Sequence, residues 1–287
     1  MNTYLNAIRS LDTELNAPAS LSALRSMAEV IGYPLLDDLR TLYQDHGGMP
    51  WSRHPAMRFI MRLMSPSEVA DVMGAIRRNF PGILDKCAGL FWTDDNSNYA
   101  GAFLAPPLLG RVFFLKHDEL SDTPPRFRSV ESFCQSMLAA TEQQRFWSNV
   151  ATDYPRLTDP ADIEGDEDRA IAIAYLRDME ELHWEDDAYS TFAYRALNLL
   201  PPRDLALALP LVNSADPWVQ ARACETIGLW RCAKAVPDLL RVARTTTHNG
   251  RTAVVCALQR IGTPEAREAL RMLEAELGSE WGWLFRK

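Results

Sequence analysis

Leu90-Phe91-Trp92-Thr93-Asp94-Asp95-Asn96-Ser97-Asn98-Tyr99 decides the fold of the first half of the chain. An apolar run enters it, the turn-forming residues Asp94 to Asn98 interrupt it, and Tyr99 opens a second apolar run that continues to Ala105. Asp and Asn suit such turns because their side chains bond nearby backbone amides and tolerate left-handed conformations. The stretch therefore reads as a strand, a turn and a returning strand. Pro106-Pro107-Leu108-Leu109-Gly110 supplies the next turn before Val112 to Leu115, and together the runs make an antiparallel meander.

Helical patterns flank this meander. Leu21, Leu24, Met27, Ala28 and Ile31 recur at helical spacing, as do Leu35, Leu36, Leu39, Leu42 and Tyr43 after Pro34. The second helix is expected to stop at Gly47-Gly48, where glycine accepts a left-handed turn. From Met57 to Met64 the period changes to two, with Phe59, Met61 and Leu63 on one face and Arg58 and Arg62 on the other, which predicts a strand. Ser65-Pro66-Ser67-Glu68 has the form of a capping box and starts a helix through Val69, Val72, Met73 and Ile76. Ser129 caps a closing helix whose apolar side is Val130, Phe133, Cys134, Met137 and Leu138. Residues 1–147 are thus expected to form an α+β domain, an antiparallel sheet flanked by helices.

Residues 148–165 read as an acidic linker leading to a helical domain over 166–287. Beyond the linker strand signals vanish, and the helical patterns break at Pro201-Pro202, Asp216-Pro217, Pro237 and Thr263-Pro264. Asp216-Pro217 and Thr263-Pro264 are helix starts of the cap-plus-proline type. Val219, Ala223, Ile227 and Gly228 align with Ala253, Ala257, Ile261 and Gly262 at an offset of 34 residues, and Arg195 to Leu200 aligns more weakly with Arg222 to Ile227 at 27. Small residues recurring at that interval predict stacked helix pairs, a short α-solenoid.

Charge is concentrated in one place. Residues 153–187 hold thirteen acids against three arginines, a balance of −10, while the rest of the 287-residue chain sums to +2. Such a stripe repels phosphate backbones and steers basic partners, so direct nucleic-acid binding is not expected. The most apolar stretch, Leu205 to Val212, is interrupted by Pro210 and is far shorter than a bilayer span, and the first residues lack an export signal. The five cysteines form no Cys-x-x-Cys pair, so a soluble protein of the reducing cytoplasm with buried thiols is expected.

Motifs for chemistry are missing. The five histidines show no metal-ligand spacing, and no nucleophile elbow, Walker loop or dinucleotide fingerprint occurs, so neither catalysis nor a cofactor or metal is expected. His117-Asp118-Glu119 could be drawn as a base with carboxylates but reads better as a surface turn. The candidate partner-binding residues are instead an aromatic beside an acidic, amide-rich turn, namely Trp92, Asp94, Asp95, Asn96 and Asn98. To these the acidic stretch adds Asp166, Glu167, Asp168, Glu185, Asp186 and Asp187. Trp218 completes the set, because tryptophan is enriched at interface hot spots. Trp230, Trp281 and Trp283 read more readily as packing, the last two as a cap on the final repeat.

Two resemblances sharpen these expectations. Residues 166–276, with Asp216-Pro217-x-Val219-x-x-x-Ala223 and Ile227-Gly228 as the best unit, resemble HEAT-type repeats. Residues 20–140 resemble the SUKH superfamily, which includes bacterial immunity proteins and a fungal cell-wall assembly regulator. Four stretches carry that likeness: Leu35 to Tyr43 ending in His46-Gly47-Gly48, Arg62-Leu63-Met64-Ser65, Phe91 to Tyr99, and Gly110-Arg111-Val112 through Ser129 to Phe133. The resemblance implies a non-catalytic fold that holds a partner protein, in bacteria often a toxin. The expected function is therefore an immunity protein that neutralises a cognate toxin or effector, with a regulatory scaffold for endogenous partners as the alternative.

Overall fold

The computed structural model describes residues 15–50, 61–118, 123–157, 167–246 and 248–278. Two compact units emerge, Met1–Asp153 and Tyr154–Lys287, so the boundary falls within the stretch read as an acidic linker.

In the first unit, α1 (Leu21–Ile31) and α2 (Asp37–Asp45) bury Leu24, Met27, Ile31, Leu39, Leu42 and Tyr43 as their spacing predicts, whereas Leu21 of the same stripe is exposed. Leu35 and Leu36 precede α2, and that helix ends at Asp45, before the expected stop at Gly47-Gly48. Gly48 is left-handed at φ 105°, but for a different reason: a Cβ there would lie 2.7 Å from the Ser65 amide nitrogen. Only glycine lets the two backbone segments approach this closely.

The sheet comprises β1 (Arg62–Leu63), β2 (Ala88–Thr93), β3 (Tyr99–Phe103), β4 (Val112–Leu115) and β5 (Pro125–Phe127). Its strand order is sequential and every pairing is antiparallel, a meander with Leu63 opposite Trp92 and Ala100 opposite Phe114. Of the strand read over Met57 to Met64, residues 57–60 lie outside the described residues, and Arg62 is buried beside Leu63 instead of facing solvent. α3 (Pro66–Asn79) packs on α1 and β2, whereas α4 (Val130–Glu142) packs on α2 and β5. The capping box of α3 forms as its sequence predicts: Glu68 N–H donates to Ser65 Oγ at 3.3 Å and Ser65 N–H to Glu68 Oε2 at 2.7 Å. Ser129 caps α4 by accepting from the Ser132 amide. Fully buried Phe91, Trp92, Phe103, Phe113, Phe127 and Phe133 form the core, with the Trp92 and Phe133 rings 4.7 Å apart.

In the second unit, every long element among the described residues is helical. α5 (Glu167–Met179) pairs with α6 (Asp187–Leu199). The short turns Pro202–Asp204, Leu205–Ala208 (α7) and Leu209–Asn213 lead to α8 (Pro217–Leu229). α9 (Val236–Thr245), α10 (His248–Ile261) and α11 (Pro264–Leu277) follow. Asp216 caps α8 by accepting from Trp218 N and Val219 N, and Thr263 caps α11, each with proline in the first helical turn. The repeated positions Val219, Ala223, Ile227, Ala253, Ala257 and Ile261 are all buried. They form the seam along which α8 packs on α10, while α6 packs on the other side of α8.

Candidate functional site

The acidic turn between β2 and β3 is largely absorbed by its own architecture. Asp94 Oδ1 accepts from the amides of Asn96 (2.8 Å) and Asn98 (3.1 Å), and Asp94 Oδ2 accepts from Asn98 Nδ2 at 2.8 Å. Asn98 Oδ1 in turn accepts from the His117 amide at 3.1 Å and sits 2.9 Å from His117 Nδ1, tying this turn to the end of β4. His117 and Asp118 are an exposed turn, and Glu119 lies outside the described residues. The dihedral cost of the turn falls on Asp95 and Ser97, at φ 61° and 65°, positions that Asp tolerates better than most residues.

Trp92 requires a correction. It is 0% exposed and packed between Phe91 and Phe133, so it is a core residue and not an anchor for a partner. Asn98 is likewise buried, with its amide spent on Asp94 and its carbonyl on His117. Asp95 keeps an exposed flank but gives its carboxylate to Arg62: Nε lies 2.9 and 2.8 Å from the two oxygens, and Nη2 donates to Oδ1 at 2.6 Å. Arg62 also donates from Nη1 to the Met49 carbonyl and from Nη2 to Glu68 Oε1, which leaves at most one N–H unengaged. Only Asn96, at the tip, remains both exposed and unneeded by neighbouring side chains.

Beside this lock lies a cavity of about 270 Å³, lined by Arg62, Glu68, Asp71, Thr93, Asp95 and Tyr99 among others. Sequence reasoning misses it, because a period of two places Arg62 on a solvent face and Glu68 reads only as a cap. Three carboxylates against one guanidinium give its wall a net charge of −2. Burial disfavours ionised Glu68, but hydrogen bonds from Arg62 and Ser65 and the Arg62 charge override it and hold the carboxyl below its ordinary range. Arg62 is held protonated in the same way: burial opposes its charge and the bonds to Asp95 and Glu68 win. Burial first, then the charges of Asp94 and Asp95, push the Tyr99 phenol up, so it stays a hydrogen-bond donor. The arrangement suits one cationic side chain entering from outside. Among the described residues no three His, Cys, Asp or Glu side chains are grouped to hold a metal ion.

In the second unit the acidic candidates separate into two kinds. Asp168 is buried at 5% exposure, where its Oδ2 accepts from the Tyr154 hydroxyl at 2.6 Å and lies 3.0 Å from Arg156 Nη2. It is a structural ion pair, and its placement in a partner surface is corrected. Glu167 is exposed in the first turn of α5, and Asp166 lies outside the described residues. Glu185, Asp186 and Asp187 are all exposed where the chain enters α6, and Asp186 Oδ2 accepts from the His183 amide. Trp218 stands 63% exposed on α8, whereas Trp230 is buried. Trp281 and Trp283 lie outside the described residues.

Residues 205–277 match the family model for HEAT repeats, which covers α7 through α11. Residues 205–277 are therefore similar to HEAT repeats, a class of stacked helix pairs that generally mediate protein–protein contact. Comparison with curated proteins gives no significant match. Among the described residues no helix is long and apolar enough to cross a membrane.

Proposed function

We propose that the protein is a non-catalytic immunity protein of the cytoplasm that binds a cognate bacterial toxin, such as a secreted nuclease, and neutralises it by direct contact. The observation that carries the binding half of this reading is the HEAT-repeat match over residues 205–277. The resemblance of residues 20–140 to SUKH proteins supports the immunity role. The acid-lined cavity beside Asp95 and the exposed Glu185-Asp186-Asp187 stretch both favour a basic partner. Complementary charge speeds capture, which suits a toxin that must be caught before it acts. Inhibition on this reading is stoichiometric.

Coexpression with the toxin encoded beside the gene tests it. Growth is rescued and the two proteins co-elute on size exclusion. A gene neighbourhood without a toxin or secretion-system protein, or failure of both rescue and co-elution, overturns the immunity role and leaves a scaffold for endogenous partners.

A further inference from the structure

The second unit places an unpartnered tryptophan on a rim of carboxylates. α6, α8 and α10 run parallel: Tyr189 Oη lies 3.2 Å from Ser214 Oγ, the Tyr194 ring lies under the Arg222 guanidinium at 5.2 Å, and Gly228 abuts Ala257. Their N-terminal ends consequently open on one edge of the stack. Trp218 projects from the first turn of α8 at that edge, and among the described residues neither a ring nor a cation packs on it. Trp184, also exposed, leads into α6 at the same edge.

Within the stack, arginine on an aromatic ring is the recurring contact between successive helices. Arg195 sits 5.6 Å from the centre of Tyr175, and Arg222 repeats the arrangement over Tyr194. Trp218, exposed in the first turn of α8, offers the ring type on which a guanidinium stacks best. Trp218, Arg222 and Glu225 share one face of α8 at helical spacing. Arg222, over the Tyr194 ring and 4.0 Å from Glu225, offsets the Glu225 charge. The surplus negative charge of the edge rests on Glu185, Asp186, Asp187 and Asp216, where the chain enters α6 and α8. Helix N-termini carry only about half a positive charge each, which these carboxylates outweigh.

We infer that this edge docks an extended, arginine-rich segment of a partner protein, one guanidinium stacking on Trp218 and its neighbours pairing with the carboxylates of Glu185 and Asp187. The charge of the edge favours this occupant over an acidic peptide or a second copy of the acidic chain. The inference rests on the reading of the chain as a binding protein, but its test involves no toxin, so either can fail without the other.

The probe is a fluorescein-labelled decapeptide of alternating Arg and Gly, with a Glu-Gly decapeptide as its counterpart, titrated with the full chain by fluorescence anisotropy. The Arg-Gly peptide binds and the Glu-Gly peptide does not. Trp218→Ala weakens binding at least tenfold, Trp218→Phe restores part of it, and Glu185→Gln with Asp187→Asn weakens it several-fold. Glu268→Gln with Glu274→Gln, on α11, leaves it unchanged. The exposure of Trp218 keeps its variants folded, which unchanged circular dichroism and melting verify. Absence of binding, equal binding by Trp218→Ala, or equal weakening by both pairs of acid substitutions, which is general charge attraction, overturns the proposal.

Discussion

Arg62 and Asp95, thirty-three residues apart, join edge to edge at 2.6–2.9 Å and lock the β2–β3 turn to the exit of β1. Because the Arg62 side chain is only 8% exposed, removal of its partner strands a buried charge. Asp95→Ala is expected to lower the unfolding free energy by about 2–3 kcal/mol, at or below the bottom of the range of about 3–5 kcal/mol for buried pairs, because Asp95 is partly exposed and Glu68 still holds Nη2. Urea unfolding of the variant measures this. A midpoint equal to that of wild type contradicts the lock, and any loss of partner binding in Asp95→Ala has to be read against its stability.

Glu68 makes the same lock sensitive to acid. Its folded-state carboxyl lies below the ordinary 4.5, so its stabilising contribution is complete above that value and is lost as pH falls through the lowered one. Wild type is therefore expected to lose stability more steeply than Glu68→Gln as the pH falls below 4.5, and the two melting temperatures converge once the pH is below the lowered value. Parallel curves across that interval contradict the assignment.

Gly228 supports a prediction whose sign separates two effects. Helix propensity alone favours alanine over glycine by about 1 kcal/mol. At Gly228, however, an added Cβ would sit 2.6 Å from the Ala257 Cα and 2.8 Å from its Cβ, which forces α8 and α10 apart. Overpacking of that kind costs about 1–3 kcal/mol, so Gly228→Ala is expected to destabilise the second unit by up to about 2 kcal/mol net. A raised melting temperature by calorimetry contradicts the close helix approach.

The thiols divide by burial. Burial pushes Cys134 up strongly, and it pushes Cys224 up to about 12, so neither forms a thiolate at neutral pH. Cys87, Cys232 and Cys256 are partly exposed. Ellman's reagent is expected to spare Cys134 and Cys224 in the native protein and to reach them only after guanidinium is added. Five equal native reaction rates contradict the two buried positions.

What the sequence reveals depends on how local the determinant is. The Ser65–Glu68 capping box, the Asp216-Pro217 and Thr263-Pro264 starts and the hairpin around Asp94 rest on residues within a few positions of one another, and all are legible in the amino-acid sequence alone. Arg62 is not, since a period of two assigns a charged residue to solvent and cannot register a carboxylate on a distant turn. β5 escapes for a related reason: it is three residues long and begins with Pro125, a residue that argues against a strand. The turn's composition correctly marks a turn and wrongly suggests a free acidic face, because the Asx residues that build such a loop spend their oxygens inside it. Asp168 is hidden in the same manner by Tyr154 and Arg156. Trp218 and Glu185 to Asp187 come through as exposed, since the contacts that His183 makes with Glu185 and Asp186 are themselves at the surface.

The central claim is that the chain works by gripping a basic protein. Calorimetric titration of the full chain with the inactivated product of any toxin gene found beside its own tests this most directly. The account predicts one-to-one binding with a dissociation constant of about 10⁻⁷ M or tighter, weakened by added salt. No heat and no co-elution with tens of micromolar of each protein would contradict it.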